Sequence, residues 1–309
     1  MKERYERDER GAGGGMVSRK RLFFVAFLIA LLFAIAFASR FFSTKEQGRI
    51  GVRSSGGSEK ISVVVTIPPQ AEFVKRIGGE RVEVSSMVPQ GANPHTYEPT
   101  PLQLMNVSKA EMYVKMGSGI EFEIAWMDKI ASMNRNMLIV DCSNGIELLE
   151  EDGKTDPHIW LSPKNAKIIV ENICKGLIQI DPANKTYYER NKEAYLNELD
   201  ALDKEISQIL SNHKKFIVYH PAWSYFAKDY GLEQISVEEG GKEPSPEHIT
   251  RIIEEARRNN IKTVFASPQF KEKAEVIARE IGGRVVEIDP LAENYIENIR
   301  NFAKAIAEN

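Results

Sequence analysis

From residue 61 onward the chain alternates short β-branched runs with longer stretches of helical period. The runs at 61–67, 82–88, 111–116 and 138–141 read as strands, and 69–77, which stops at Gly78-Gly79, and 121–131 read as helices between them. The second half repeats the style, with strands expected at 216–219, 234–237, 263–266 and 284–288 and helices at 246–259, 271–281 and 292–307. This alternation predicts an α/β fold of two lobes, each a mostly parallel sheet flanked by helices. No internal sequence repeat relates the halves, so the lobes are expected to be alike in architecture only.

Between them lies a different pattern. Asp181-Pro182 reads as the cap and first turn of a helix over 181–212, with Tyr187, Tyr188, Ala194, Tyr195, Leu199, Leu202, Ile206 and Leu210 at helical spacing. At about 45 Å it is longer than a small lobe is wide. One long rigid helix joining the lobes would act as a strut and leave little scope for wide hinge motion. The expected organisation is an N-terminal extension with a signal peptide or membrane anchor over 1–42, a flexible Gly/Ser-rich linker over 43–60, an N-terminal lobe over 61–180, the linking helix over 181–212 and a C-terminal lobe over 213–309.

The N-terminal segment changes the picture of where the chain works. Arg19-Lys20-Arg21 leads into the apolar run 22–38, at about 25 Å the short end of what spans a bilayer. Ala36-Phe37-Ala38 resembles a cleavage site, so the segment is either removed or kept as a tether, and in both cases the remainder is exported. The domain is expected at the extracytoplasmic face of the membrane or in the periplasm. Translation could begin at Met1 or at Met16. The chain's net charge is −3, and because residues 1–38 carry seven Lys or Arg against four Asp or Glu, the rest holds −6. Without a basic stripe, nucleic acid is not an expected partner. Cys142 and Cys174, the only cysteines, either pair in an oxidising compartment or stay as two buried thiols.

Three of the five histidines stand at Pro-marked junctions where an extended segment ends: His95 in Asn93-Pro94-His95, His158 in Asp156-Pro157-His158, and His220 before Pro221. Neutral imidazole is the commonest transition-metal ligand, and strand ends in α/β lobes are where sites are built. Asp289, directly after the run 284–288, has the same placement. His213 and His248 lack it and read as surface residues.

The strings VPQGANPHTYEPTP, TDPHIWLSP, DPANKTYYERN, IVYHPAWSYFAKDYGL, EPSPEHI and VVEIDPLAE, in this order, resemble the family of zinc- and manganese-binding solute receptors of ABC importers over residues 61 to the end. The resemblance implies two α/β lobes joined by one helix, a metal held between them by His95, His158, His220 and Asp289, and delivery to the permease subunits of a transporter driven by a cytoplasmic ATPase. It implies a monomeric carrier rather than an enzyme, with no catalytic residues. Three departures stand out. The segment 148–155 is acidic but has no histidine, unlike the His-rich loop of many zinc-selective members. Ser267 stands where relatives often have Glu, and the usual lipoprotein cysteine is missing.

Three imidazoles and a carboxylate suit the four-coordinate preference of Zn(II) better than the harder, more numerous oxygen ligands of Mn(II), which remains the second choice. Glu98, Asp156 or backbone carbonyls are expected to fix the ring tautomers. The alternative class is a zinc-dependent metallohydrolase on the same residues. No HExxH or similar motif supports it, and Glu238, Glu239 and Glu243, which could serve as a base, read as a solvated loop. An adhesin role survives only as a secondary one.

Overall fold

A computed structural model of the chain describes residues 60–308, other than 152, 240 and 241. The leader expected at 22–38 and nearly all of the spacer at 43–60 lie outside the described residues. Among the described residues no helix is long and apolar enough to cross a membrane.

The first lobe runs β1 (Ile61–Val65), α1 (Pro68–Gly78), β2 (Val82–Ser86), α2 (Pro101–Lys109), β3 (Met112–Lys115), α3 (Glu121–Met133), β4 (Leu138–Asp141), a two-residue hairpin β5 (Glu150–Glu151) and β6 (Lys154–Thr155), and α4 (Pro163–Ile180). Its sheet is wholly parallel in the order β2-β1-β3-β4. Except for Ser62, every residue of the central β1 is buried, as expected of a strand covered on both faces. Helix starts are written into the sequence beside the expected ligand loops. Thr100 accepts from the Gln103 amide ahead of α2, and Ser162 from the Asn165 amide ahead of α4, with proline at the first helical position in both.

The linking helix is α5 (Lys185–Ile209), 25 residues or about 38 Å long, and it packs along α1 and α4. Its buried positions, Tyr188, Tyr195, Leu199, Leu202 and Ile206, are those the periodicity indicates. Asp181 is not its cap. A 3-10 turn, Pro182–Asn184, comes first, and the Asp181 carboxylate accepts from the Asn184 amide and, at 2.8 Å, from the Tyr188 hydroxyl, pinning that turn to the helix.

The second lobe runs β7 (Lys215–Val218), α6 (Ser224–Tyr230), β8 (Glu233–Ser236), α7 (Pro246–Arg258), β9 (Thr263–Ala266), α8 (Lys271–Glu280), β10 (Arg284–Glu287) and α9 (Tyr295–Ala307). Its sheet is also parallel, ordered β10-β9-β7-β8. The core is not divided as the lobes are. One cluster runs from β1 through α4 and α5 into the inner face of the second sheet, where Phe216, Trp223, Phe226 and Phe265 gather around Phe302 of α9. Only the outer face of that sheet, with Ile217, Val264, Ile252 and Ile277, has a core of its own. Cys142 and Cys174 are separate buried thiols, so the disulfide alternative is not realised.

Candidate metal centre

All strands of a parallel sheet end on one side, and His95, His220 and Asp289 follow such ends. His95 lies in the loop after β2. The Asn93 side chain accepts from the His95 amide at 2.9 Å, a short local turn that fixes the backbone carrying the ring. His158 stands after β6 of the short antiparallel hairpin, and Asp156 accepts from its amide at 2.9 Å. His220 follows β7 by two residues, and its ring stacks on Phe270 at 5.8 Å between centroids. The donor atoms of these three histidines lie within 4.8 Å of one another. They are remote in sequence and are brought together only by the fold.

Each ring faces a carboxylate through Nδ1: His95 with Glu121 at 2.6 Å, His158 with Asp156 at 2.8 Å, and His220 with Glu238 at 2.6 Å. A carboxylate accepts only, so each Nδ1 carries a proton, and in the neutral ring this leaves the lone pair on Nε2. The His220 Nε2 is buried with no hydrogen-bond partner, a cost that a ligand in the site would remove. Burial pushes the His220 imidazole below its ordinary pKa, which keeps it neutral. Burial would raise the Asp156 carboxyl, but the His158 ring and amide against it hold it below the usual range. The same competition, with His95, holds Glu121 down.

Asp289 lines the same cavity, with His95, His158, His220, Ser267 and Phe270 among the other walls, but it is not in the group whose donor atoms lie within 4.8 Å. Its Oδ1 accepts from the Leu291 amide at 2.8 Å, and burial raises its pKa. The cavity that Asp289 shares measures about 30 Å³, room for a single ion, and the three histidines also line a wider cleft of about 650 Å³ with Glu121, Asp156 and Glu238.

Three expectations need correction. Glu98 is exposed and bonds to no histidine; Glu121, at the start of α3, orients His95 instead. Glu238 is not solvated but 6% exposed, and it is the partner of His220. Its carboxylate is thereby engaged at Nδ1, on the far side of the ring from Nε2. His248 is half-buried, with Nε2 3.0 Å from the Ser236 carbonyl, and His213 is half-buried with a buried Nδ1. A signal for Glu238 was available: it lies directly after the strand-like run 234–237, where a side chain can turn toward a neighbouring strand end.

The family model described as "Zinc-uptake complex component A periplasmic" matches residues 63–309. The high-affinity zinc uptake system protein ZnuA of Bacillus subtilis is 31% identical over 276 residues, covering 82% of this chain and 86% of that protein. The manganese ABC transporter substrate-binding lipoprotein PsaA of Streptococcus pneumoniae is 34% identical over 238 residues, 72% of this chain and 77% of that one. A crystal structure of ZnuA superposes with a TM-score of 0.78 at 44% identity, covering 81% of this chain and 99% of the other. The laminin-binding protein of Streptococcus agalactiae, described as having adhesin and metal-transporting activity, superposes at 0.74 with 27% identity, over 81% of this chain and 99% of its own.

Proposed function

We propose a cargo and a donor set for this chain, which belongs to the periplasmic zinc-uptake component A family, the substrate-binding proteins of ABC metal importers. The cargo is Zn(II), with Mn(II) the weaker competitor, and the donors are Nε2 of His95, His158 and His220 and the carboxylate of Asp289. The protein works outside the cytoplasm and hands the ion to the permease subunits of its importer. It performs no chemistry on the ion, and no catalytic residue is assigned.

The observation that supports this reading best is the meeting of three imidazoles from two lobes, each with Nδ1 held by a carboxylate, around a cavity the size of one ion. Carboxylate-backed histidines are the arrangement that raises imidazole basicity and fixes the coordinating nitrogen. Three nitrogens and one oxygen match tetrahedral zinc. A manganese site is better served by more oxygen donors, and the relatives named for each metal leave that choice to the donor chemistry.

The test is a competition titration of metal-stripped protein with Zn(II) and Mn(II), paired with elemental analysis of protein purified without added metal. One zinc per chain, retained against an excess of manganese, is the expected result. Preferential retention of manganese would reverse the cargo, and failure to retain either would remove the carrier reading.

A further inference from the structure

Each of the three histidines has its orienting carboxylate in its own lobe, with Tyr225 of the second lobe also donating to the Asp156 carbonyl at 2.9 Å, and the segment that carries Asp289 is gripped from the first lobe. The Trp160 indole N–H, from the first lobe, donates to the Pro290 carbonyl at 2.8 Å, one residue past Asp289. Glu72 of α1 accepts the backbone N–H of Tyr295, the first residue of α9, and its other oxygen accepts the Tyr195 hydroxyl of α5 at 2.7 Å. No side chain caps α9 from its own N-cap position, so a carboxylate from the opposite lobe does so, favoured by the helix dipole. The Gln90 side chain, in the loop ahead of His95, lowers the Asp289 pKa against the effect of burial. Trp160 is 1% exposed, and its ring lies 5.2 Å from that of His158, so one side chain touches a histidine of the site and braces the segment bearing the carboxylate. Within the second lobe, Asn298 holds the Asp289 carbonyl at 2.8 Å.

From this geometry we infer that Trp160 and Glu72 are positioning residues for Asp289: acting from the first lobe, they clamp the 289–295 segment and so set how long the bound ion is held. The inference rests on the zinc reading above. A ligand on an unclamped segment would lose its place at an ordering cost each time the ion binds, and the ion would leave faster. Because encounter with the ion does not require the clamp, the loss falls on the dissociation rate and leaves association nearly unchanged.

The variants Trp160→Phe, which keeps an aromatic ring in place and removes the N–H donor, and Glu72→Gln are loaded with Zn(II), and release to an excess of chromogenic chelator is followed by stopped flow. Each is expected to release zinc about 10- to 100-fold faster than the unaltered chain, the loss typical of an outer-sphere partner. The same substitutions are then made in an Asp289→Ala background, where they are expected to change release by less than about twofold, because the group they position is gone. A purely structural role would lower thermal stability in both backgrounds with no such dependence on Asp289. Unchanged release in the single variants, or equal acceleration with and without Asp289, overturns the assignment. Should one variant fail to fold, the other decides it. Failure of the unaltered protein to hold zinc would instead count against the cargo assignment.

Discussion

The two lobes share a parallel four-stranded sheet flanked by helices, yet the side chains proposed as ligands are not all fastened in the same way. His95 and His158 sit on loops whose turns and carboxylate partners come from the first lobe itself. In the second lobe, His220 is likewise tied to Glu238 of its own sheet edge, but Asp289 sits on a segment held from across the cleft by Trp160 and Glu72. The cores differ in the same sense. The first sheet belongs to one cluster that continues through α5 into the inner face of the second sheet, while the outer face of the second sheet is packed separately. A shared core between lobes, with a rigid helix running along it, opposes wide opening.

The largest expected effect probes the shared core. Phe302 is fully buried and packs on four aromatic rings, so Phe302→Ala should cost about 3–5 kcal/mol in a denaturant titration and shift unfolding of both lobes together. Two transitions, with only one moved, would show that the lobes fold independently.

Next comes the ligand comparison. His220→Ala should weaken zinc binding by more than about a hundredfold while the far-UV circular dichroism stays unchanged, since removing a ligand costs more than removing its outer partner. Unchanged affinity in a competition titration would take His220 out of the site. Its partner gives a finer contrast. The Glu238 side chain is 8% exposed and that of Glu121 is 54% exposed, so the charge of Glu238 acts through less solvent. Glu238→Gln should weaken zinc binding by about 10- to 100-fold, and Glu121→Gln by clearly less; the reverse order would contradict the role given to burial.

Acidification acts on all the donors at once. Proton and metal compete for the same lone pairs, so affinity is highest with the ligands deprotonated and falls as pH drops. Burial moves the Asp289 pKa up and the His220 pKa down, so on acidification the carboxylate takes its proton earlier than an ordinary Asp, and the imidazole later than an ordinary His. Zinc affinity should fall by about tenfold or more between pH 7 and pH 5, read by competition at each pH. An affinity flat over that range would exclude imidazole donors. Smallest of all, Lys75→Ala breaks an ion pair to Glu293 between two half-exposed side chains and should cost less than about 1 kcal/mol of stability.

Much of this was legible along the chain. The β-branched runs mark the strands closely, and the spacing from Tyr188 to Ile206 marks the face on which the linking helix is buried, because both periods follow from which side meets the core. His95, His158 and His220 were legible by their Pro-marked strand ends. What sequence order hid were relations across space. Glu121 lies 26 residues from His95, and Glu238 lies 18 from His220 in a carboxylate-rich stretch whose burial depends on the neighbouring strand. Trp160 meeting Pro290, 130 residues away, leaves no trace in periodicity. The Asp181 misreading has a local cause: Asp-Pro suits a helix start, but the two partners of its carboxylate, Asn184 and Tyr188, draw it into a 3-10 turn instead.

The most direct test of the central claim is zinc K-edge X-ray absorption on protein loaded with one equivalent of metal. Four light-atom neighbours near 2.0 Å, with the outer-shell scattering of about three imidazoles, is the predicted result. A shell dominated by water oxygens, or one with a single imidazole, would contradict it.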